Sequence, residues 1–217
     1  MDFNTNKNIS FGWYYNMHRG IVEYAVRNKQ IPESIIEQIA KAATKPDLEE
    51  FFLVGQKHFY YPDDKIKSYL DYTGTHNAKY MYKEHLCKMK EAFKQGQKAK
   101  GFDEAGRALH YLQDMTQTNH IDSGSIIQKA KEAKMPHHKF EMDMFAQEDL
   151  LYSQSTPVNL VSCNYYALFD EVVNLSKQND VAKTNNQAKW NEIGQNSINL
   201  ALSATSKFFD FLSKHIN

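Results

Sequence analysis

The segment RALHYLQDMTQTNH, from Arg107 to His120, constrains the fold of this chain more than any other. Its periodicity predicts a helix from an Asp103 N-cap to about Gln117. His110 and Asp114 then stand at i and i+4, on one face, about 6 Å apart along the axis. Leu109, Tyr111 and Leu112 flank them, so that face is at least partly buried. A buried aspartate without a partner is costly. Two solutions exist. The pair can be an ordinary helical ion pair. Alternatively, an imidazole nitrogen and a carboxylate oxygen from one face can converge on a cation such as zinc, at about 2.0–2.2 Å.

The arrangement recurs. His137 and Glu141 are again at i and i+4, and His120 lies between the two pairs. Two helical His–carboxylate pairs and an intervening histidine thus fall within one stretch of 32 residues, 110–141. Upstream, KPDLEEFFLVGQKHFYYPDDK supplies Asp47 and His58, and GWYYNMHRG supplies Trp13 and His18. Taken singly these are weak signals. An aspartate after proline is ordinarily a helix N-cap, and a histidine early in an amphipathic helix is ordinarily a capping or core residue.

The remainder predicts an all-α protein: a single-domain helical bundle of about six to eight helices. Helical spacing runs over 14–28, from Pro32 to the break at Pro46, over 76–98, from His137 into the 150s, over 157–178 and over 186–215. Residues 47–74 and 118–136 read as loops, and Lys100-Gly101 as a helix end. With 217 residues and 41% apolar content, one sizeable core is expected. The 26 basic and 26 acidic residues cancel, which argues against a broad nucleic-acid footprint. Two cysteines, Cys87 and Cys163, argue against thiolate zinc sites and a disulfide scaffold. No apolar run reaches the roughly 20 residues that span a bilayer, and the start MDFNTNKNISFG is polar, without an apolar signal-peptide core.

Taken in order, these segments resemble the zinc-dependent phospholipase C family and, more distantly, the fungal single-strand-specific zinc nucleases. RALHYLQDMTQTNH is similar to the family's H-Y-L-G-D-x-x-Q-P-x-H segment, MPHHKFE to H-S-K-Y-E, and HFYYPD to H-F-Y-D-P-D. Trp13 followed by His18 resembles the start of the mature enzymes. The likeness covers roughly residues 13–145. Gln113 stands where the family has glycine, and Thr118-Asn119 where it has Pro-x.

The resemblance implies a helical domain, 13–217, around two to three zinc ions. Asp47, His58, His110 and Asp114 would serve one ion; His120, His137 and Glu141 a second; His18, Asp114 as a bridge, and the backbone of Trp13 a third. Asp47 is also expected to orient or deprotonate the attacking water. In the family a free Trp amine chelates zinc, so residues 1–12 are read as a propeptide-like arm whose removal after Gly12 would complete the third site. The implied substrate is a phospholipid such as phosphatidylcholine. Phe59, Tyr60, Tyr61 and Tyr80 are candidates for a lipid-facing mouth or for stacking on a choline-like cation. Contact with a membrane surface would be transient and made by the rim of this domain, acting as a monomer. The resemblance also implies a secreted protein. Single-strand nuclease or nucleotidase activity is the alternative, favoured by the five-residue Trp13–His18 spacing; a non-catalytic helical binding protein is a second alternative. His76, His85, His138 and His215 are left as surface or structural residues.

Overall fold

The computed structural model describes residues 15–49, 57–60, 77–121, 136–179 and 187–216, with only the backbone of 15, 119, 136–138, 187 and 188. The described residues are all-helical. Nine α-helices are α1 (Tyr15–Val26), α2 (Glu33–Ala43), α3 (Lys45–Glu49), α4 (Ala78–Lys94), α5 (Lys98–Asp114), α6 (Pro136–Phe145), α7 (Glu148–Ser153), α8 (Tyr165–Ser176) and α9 (Gln187–Ile216), and a 3-10 turn spans Thr118–His120. This exceeds the expected six to eight by the short helix α3, in a stretch read largely as loop, and by α7, which Ala146 and Gln147 separate from α6. Pro46 does not simply break the chain; it sits in the first turn of α3, where a missing N–H is tolerated.

The central helix is α5. It packs against α2, α3, α4 and α9, and every residue from Ala108 to Asp114 is buried. A helix buried on all sides must satisfy its polar side chains internally. The helix begins earlier than expected. Gly96, at φ 73°, takes the left-handed conformation that ends α4, with Gln97 N–H donating to Ala92 O at 2.9 Å. Asp103 is therefore not an N-cap. It lies inside α5, paired with Lys45 and, at 3.0 Å, with Arg107. Arg107 also grips Glu49 with a two-pronged contact, Nη1–Oε2 2.8 Å and Nη2–Oε1 2.9 Å. These bonds fasten α3 to α5. They also hold the Glu49 carboxyl below its ordinary value, chiefly through the Arg107 hydrogen bond.

Close approach of α2 to α5 depends on Gly106. A Cβ there would fall against the carbonyl oxygen of Ile39 and lie 2.5 Å from Ala42 Cβ and 3.0 Å from Ala43 N. The main core gathers Val22 and Val26 of α1, Ile39 of α2, Leu86 and Met89 of α4, Leu109 and Leu112 of α5, Phe169 of α8 and Phe208 of α9. A smaller core gathers Met17, Ile21, Phe140, Met144, Leu151 and Trp190. Helix α1 borders both, and His18 lies one turn before Val22, on the stripe that enters the main core.

The helix expected from 157 also starts later. Residues 155–164 are irregular, and α8 starts only at Tyr165, capped by Asn164, whose side chain accepts from Tyr166 N–H and Ala167 N–H. The preceding backbone is satisfied by side chains instead. Glu171 accepts from Val161 and Ser162, Asn199 from Thr156, and Ser203 from Val158. Among the described residues, no helix is long and apolar enough to cross a membrane.

Candidate metal centre

Four elements meet at the buried face of α5. His110 and Asp114 come from α5 itself, His18 from α1, Asp47 from α3 and His58 from the stretch 57–60. The last is held by backbone bonds: Tyr60 N–H donates to His120 O and Ala78 N–H to Phe59 O, each at 2.9 Å. All five side chains are almost fully buried.

The polar atoms converge. His58 Nδ1 lies 2.9 Å from Asp114 Oδ2 and 3.8 Å from Asp47 Oδ1. His110 Nε2 lies 3.3 Å from Asp114 Oδ2 and 3.7 Å from Asp47 Oδ1. The same nitrogen is 2.9 Å from His58 Nδ1, a separation that requires a proton or a cation between the two rings. His18 Nε2 lies 3.5 Å from Asp114 Oδ1 and 3.7 Å from Asp47 Oδ2. Two overlapping sets, His18–His110–Asp114 and Asp47–His58–His110, each bring three ligand atoms within 4.8 Å of one another.

Outer contacts determine which nitrogens face inward. His110 Nδ1 donates to the carbonyl of Ala43 at 2.8 Å, and His120 Nδ1 to the carbonyl of His58 at 2.9 Å. A carbonyl can only accept, so in each ring Nδ1 carries the proton. Nε2 of a neutral ring is then a lone pair directed inward, the arrangement found at histidine metal ligands. Burial holds His110 well below its ordinary value, and the neighbouring His18 and His58 push it the same way. Burial also lowers His18, although Asp114 opposes it. Both rings are therefore neutral near pH 7, as ligands must be.

His18 Nε2 and Asp114 Oδ1 bear on the two solutions raised by the sequence. Both atoms are buried without a hydrogen-bond partner. An unprotonated ring nitrogen buried against carboxylates is repulsive unless a cation joins them. Imidazole nitrogens with carboxylate oxygens are a donor set suited to zinc. The residues therefore fit a metal.

A second grouping adjoins the first. His120 Nε2 lies 3.7 Å from Glu141 Oε1, with both residues buried, and Phe59 stacks on the His120 ring at 4.7 Å. His137 lies at the start of α6, one turn before Glu141, with its side chain outside the described residues. Trp13 and the arm 1–12 also lie outside them. Of the candidate mouth aromatics, Tyr60 packs edge-on against Phe169, Tyr80 is 41% exposed, and Tyr61 lies outside the described residues.

Three contributors were not anticipated. The Ala43 carbonyl has no side-chain signature. Gln113, which stands where the family has glycine, is fully buried, with Oε1 2.8 Å from His18 Nδ1 and Nε2 donating to Thr205 Oγ1 at 3.1 Å. Its signal was a polar residue between Leu112 and Asp114 on a buried helix. Arg107, through Glu49, holds the helix that carries Asp47. His85 proves buried and structural, with Nδ1 2.6 Å from Glu104 Oε2, and His215 stacks on Phe93.

Together these features define an all-α domain with a buried His/Asp cluster that could hold a metal ion. No family model and no curated protein matches the sequence. The fold does match solved structures. Alpha toxin from Clostridium absonum superposes with a TM-score of 0.71 at 17% identity, over 100% of this chain and 66% of that one. Clostridium perfringens alpha-toxin from avian strain SWCP superposes with a TM-score of 0.67 at 14% identity, over 96% of this chain and 64% of that one. The chain thus spans just under two thirds of the length of these structures. Its fold is the zinc phospholipase C fold expected from the motifs.

Proposed function

We propose that this chain is a zinc-dependent phosphodiesterase, specifically a phospholipase C that releases diacylglycerol and a phosphorylated head group from phospholipids such as phosphatidylcholine. The observation that carries the reading is the buried pair His18 Nε2 and Asp114 Oδ1, 3.5 Å apart and without hydrogen bonds, at the edge of the Asp47–His58–His110 group. The fold and the motif order support it.

Two to three ions would be held. Asp47, His58, His110 and Asp114 would hold one, His120, His137 and Glu141 a second, and His18 with Asp114 and Trp13 a third. Zinc held there would supply charge to clamp the phosphate, to activate water and to stabilise the departing oxygen. The chain's own groups orient the reaction. Asp47 stands within 3.8 Å of three imidazoles, where a carboxylate oxygen can accept a proton from the attacking water. Buried Tyr111, edge-on to His110 at 5.1 Å, closes one side of the centre to solvent. Membrane contact is transient and made by the domain's own rim.

The first test is zinc per chain by elemental analysis after gel filtration, followed by head-group release from phosphatidylcholine liposomes and mononucleotide release from single-stranded DNA. Two to three zincs with head-group release are expected. Release of nucleotides alone would select the nuclease reading, and no zinc after reloading would remove both. His110→Ala should cost more than about a hundredfold in rate, because metal stabilisation of several kcal/mol converts at about 1.4 kcal/mol per tenfold. Near-wild-type turnover in that variant with metal still bound would overturn the centre.

A further inference from the structure

We infer that Gln113 is a positioning residue that holds His18 in its metal-binding tautomer; the inference rests on His18 being a zinc ligand, as proposed above. Three helices meet in one chain of hydrogen bonds. Thr205 of α9, fully buried, accepts from Gln113 Nε2 at 3.1 Å, and Gln113 Oε1 of α5 accepts from His18 Nδ1 of α1 at 2.8 Å. With Nδ1 protonated, a neutral ring presents Nε2 as a lone pair.

The reversed amide would not suit the geometry. Gln113 Nε2 would then donate to His18 Nδ1, and the ring proton would move to Nε2. That proton would face Asp114 Oδ1 at 3.5 Å and Asp47 Oδ2 at 3.7 Å, and His18 Nε2 makes no hydrogen bond there. A donor beside two carboxylates would have closed one of those gaps. The geometry is that of a lone pair held apart from anionic oxygens, with room between for a cation.

His110 and His120 are oriented by backbone carbonyls, which substitution cannot remove. His18 is oriented by a side chain, one residue before Asp114 on α5. The neighbouring ligands are thereby tied together: a single turn of α5 supplies two ligands and the group that orients a third. Gln113 accordingly sets the occupancy of the His18 site rather than the chemistry of the reaction.

The test compares wild type, Gln113→Met, which keeps the length but accepts no hydrogen bond from the ring, and Gln113→Glu, which keeps an acceptor. Each full-length protein is loaded with zinc and titrated with a chelator, and the His18 tautomer is read from long-range ¹H–¹⁵N NMR of the imidazoles. Gln113→Met should release one zinc at about 10–100-fold lower chelator strength, the usual cost of losing such a partner. Gln113→Glu should restore retention, with His18 protonated at Nδ1. If Gln113→Met does not fold, Gln113→Glu decides alone: retained zinc supports the assignment and lost zinc overturns it. Wild type that binds zinc, with Gln113→Met unchanged in retention and in the His18 signature, overturns the role of Gln113 and leaves the metal centre standing. Wild type that binds no zinc overturns the centre itself.

Discussion

Asp114 carries a cost in the fold that a bound cation would relieve. Its Oδ2 meets His58 and His110, while its Oδ1 is buried with no hydrogen bond. In the absence of metal that oxygen is a cost, because an unsatisfied buried charge is worth about 1–3 kcal/mol or more. Asp114→Asn keeps the shape, removes the charge and can turn an N–H toward His18 Nε2. The metal-free variant should therefore be more stable than metal-free wild type by about 1–3 kcal/mol in urea denaturation, while its zinc content falls. A variant that is less stable without metal would mean that Asp114 is already satisfied in the fold. Much of this site was legible at the residue scale. His18, Asp47, His58, His110 and Asp114 were all singled out by spacing or by family motif, and the structure brings these five together. The orienting groups were not legible. A backbone carbonyl such as that of Ala43 leaves no trace in sequence, and Gln113 reveals its role only when α1 and α9 are placed beside it.

At the scale of elements, the centre depends on how closely α2 can approach α5. Gly106 permits that approach, one turn before His110 on the same face, and the Ala43 carbonyl at the end of α2 orients the His110 ring. Gly106→Ala places a methyl group against the backbone of Ile39, where no side-chain rotation can relieve it. We expect a loss of about 1–3 kcal/mol from overpacking, with zinc retention falling about tenfold or more as the carbonyl shifts. Parallel denaturation and chelator titration measure both. Full stability with full zinc retention would show that α2 can move without disturbing His110. Sequence periodicity found α1, α2, α4, α5 and α9 because each is long and carries an apolar stripe. It missed α3, whose five residues owe their place to the Arg107–Glu49 and Lys45–Asp103 pairs, and it misplaced the start of α8. Short elements bury too little of their own surface to show a period; contacts from elsewhere decide them.

Over the whole molecule, burying neutral histidines couples stability to pH. Burial keeps His18 below, and His110 well below, the ordinary histidine value of 6.5. As pH falls under 6.5, the unfolded chain takes up protons at these positions before the folded chain does. The stabilisation is thus present above about 6.5 and is lost as pH falls toward the folded values, at up to about 1.4 kcal/mol per pH unit for each ring. Urea denaturation of the metal-free protein at pH 7.5 and 5.5 should show the loss, and equal midpoints would contradict it. By itself the sequence determined that the chain is all-helical, that one helix carries His110 and Asp114 on a single, at least partly buried face, and that its motif order resembles that of zinc-dependent phospholipases. Those properties are local or periodic, so they survive in one dimension. Only the tertiary structure decided that His18, from 92 residues upstream of His110, and Asp47 share a pocket with that face, and which nitrogen of each oriented ring faces it. Convergence of distant side chains is set by helix packing, and a ring's tautomer is set by the acceptor that packing places behind it.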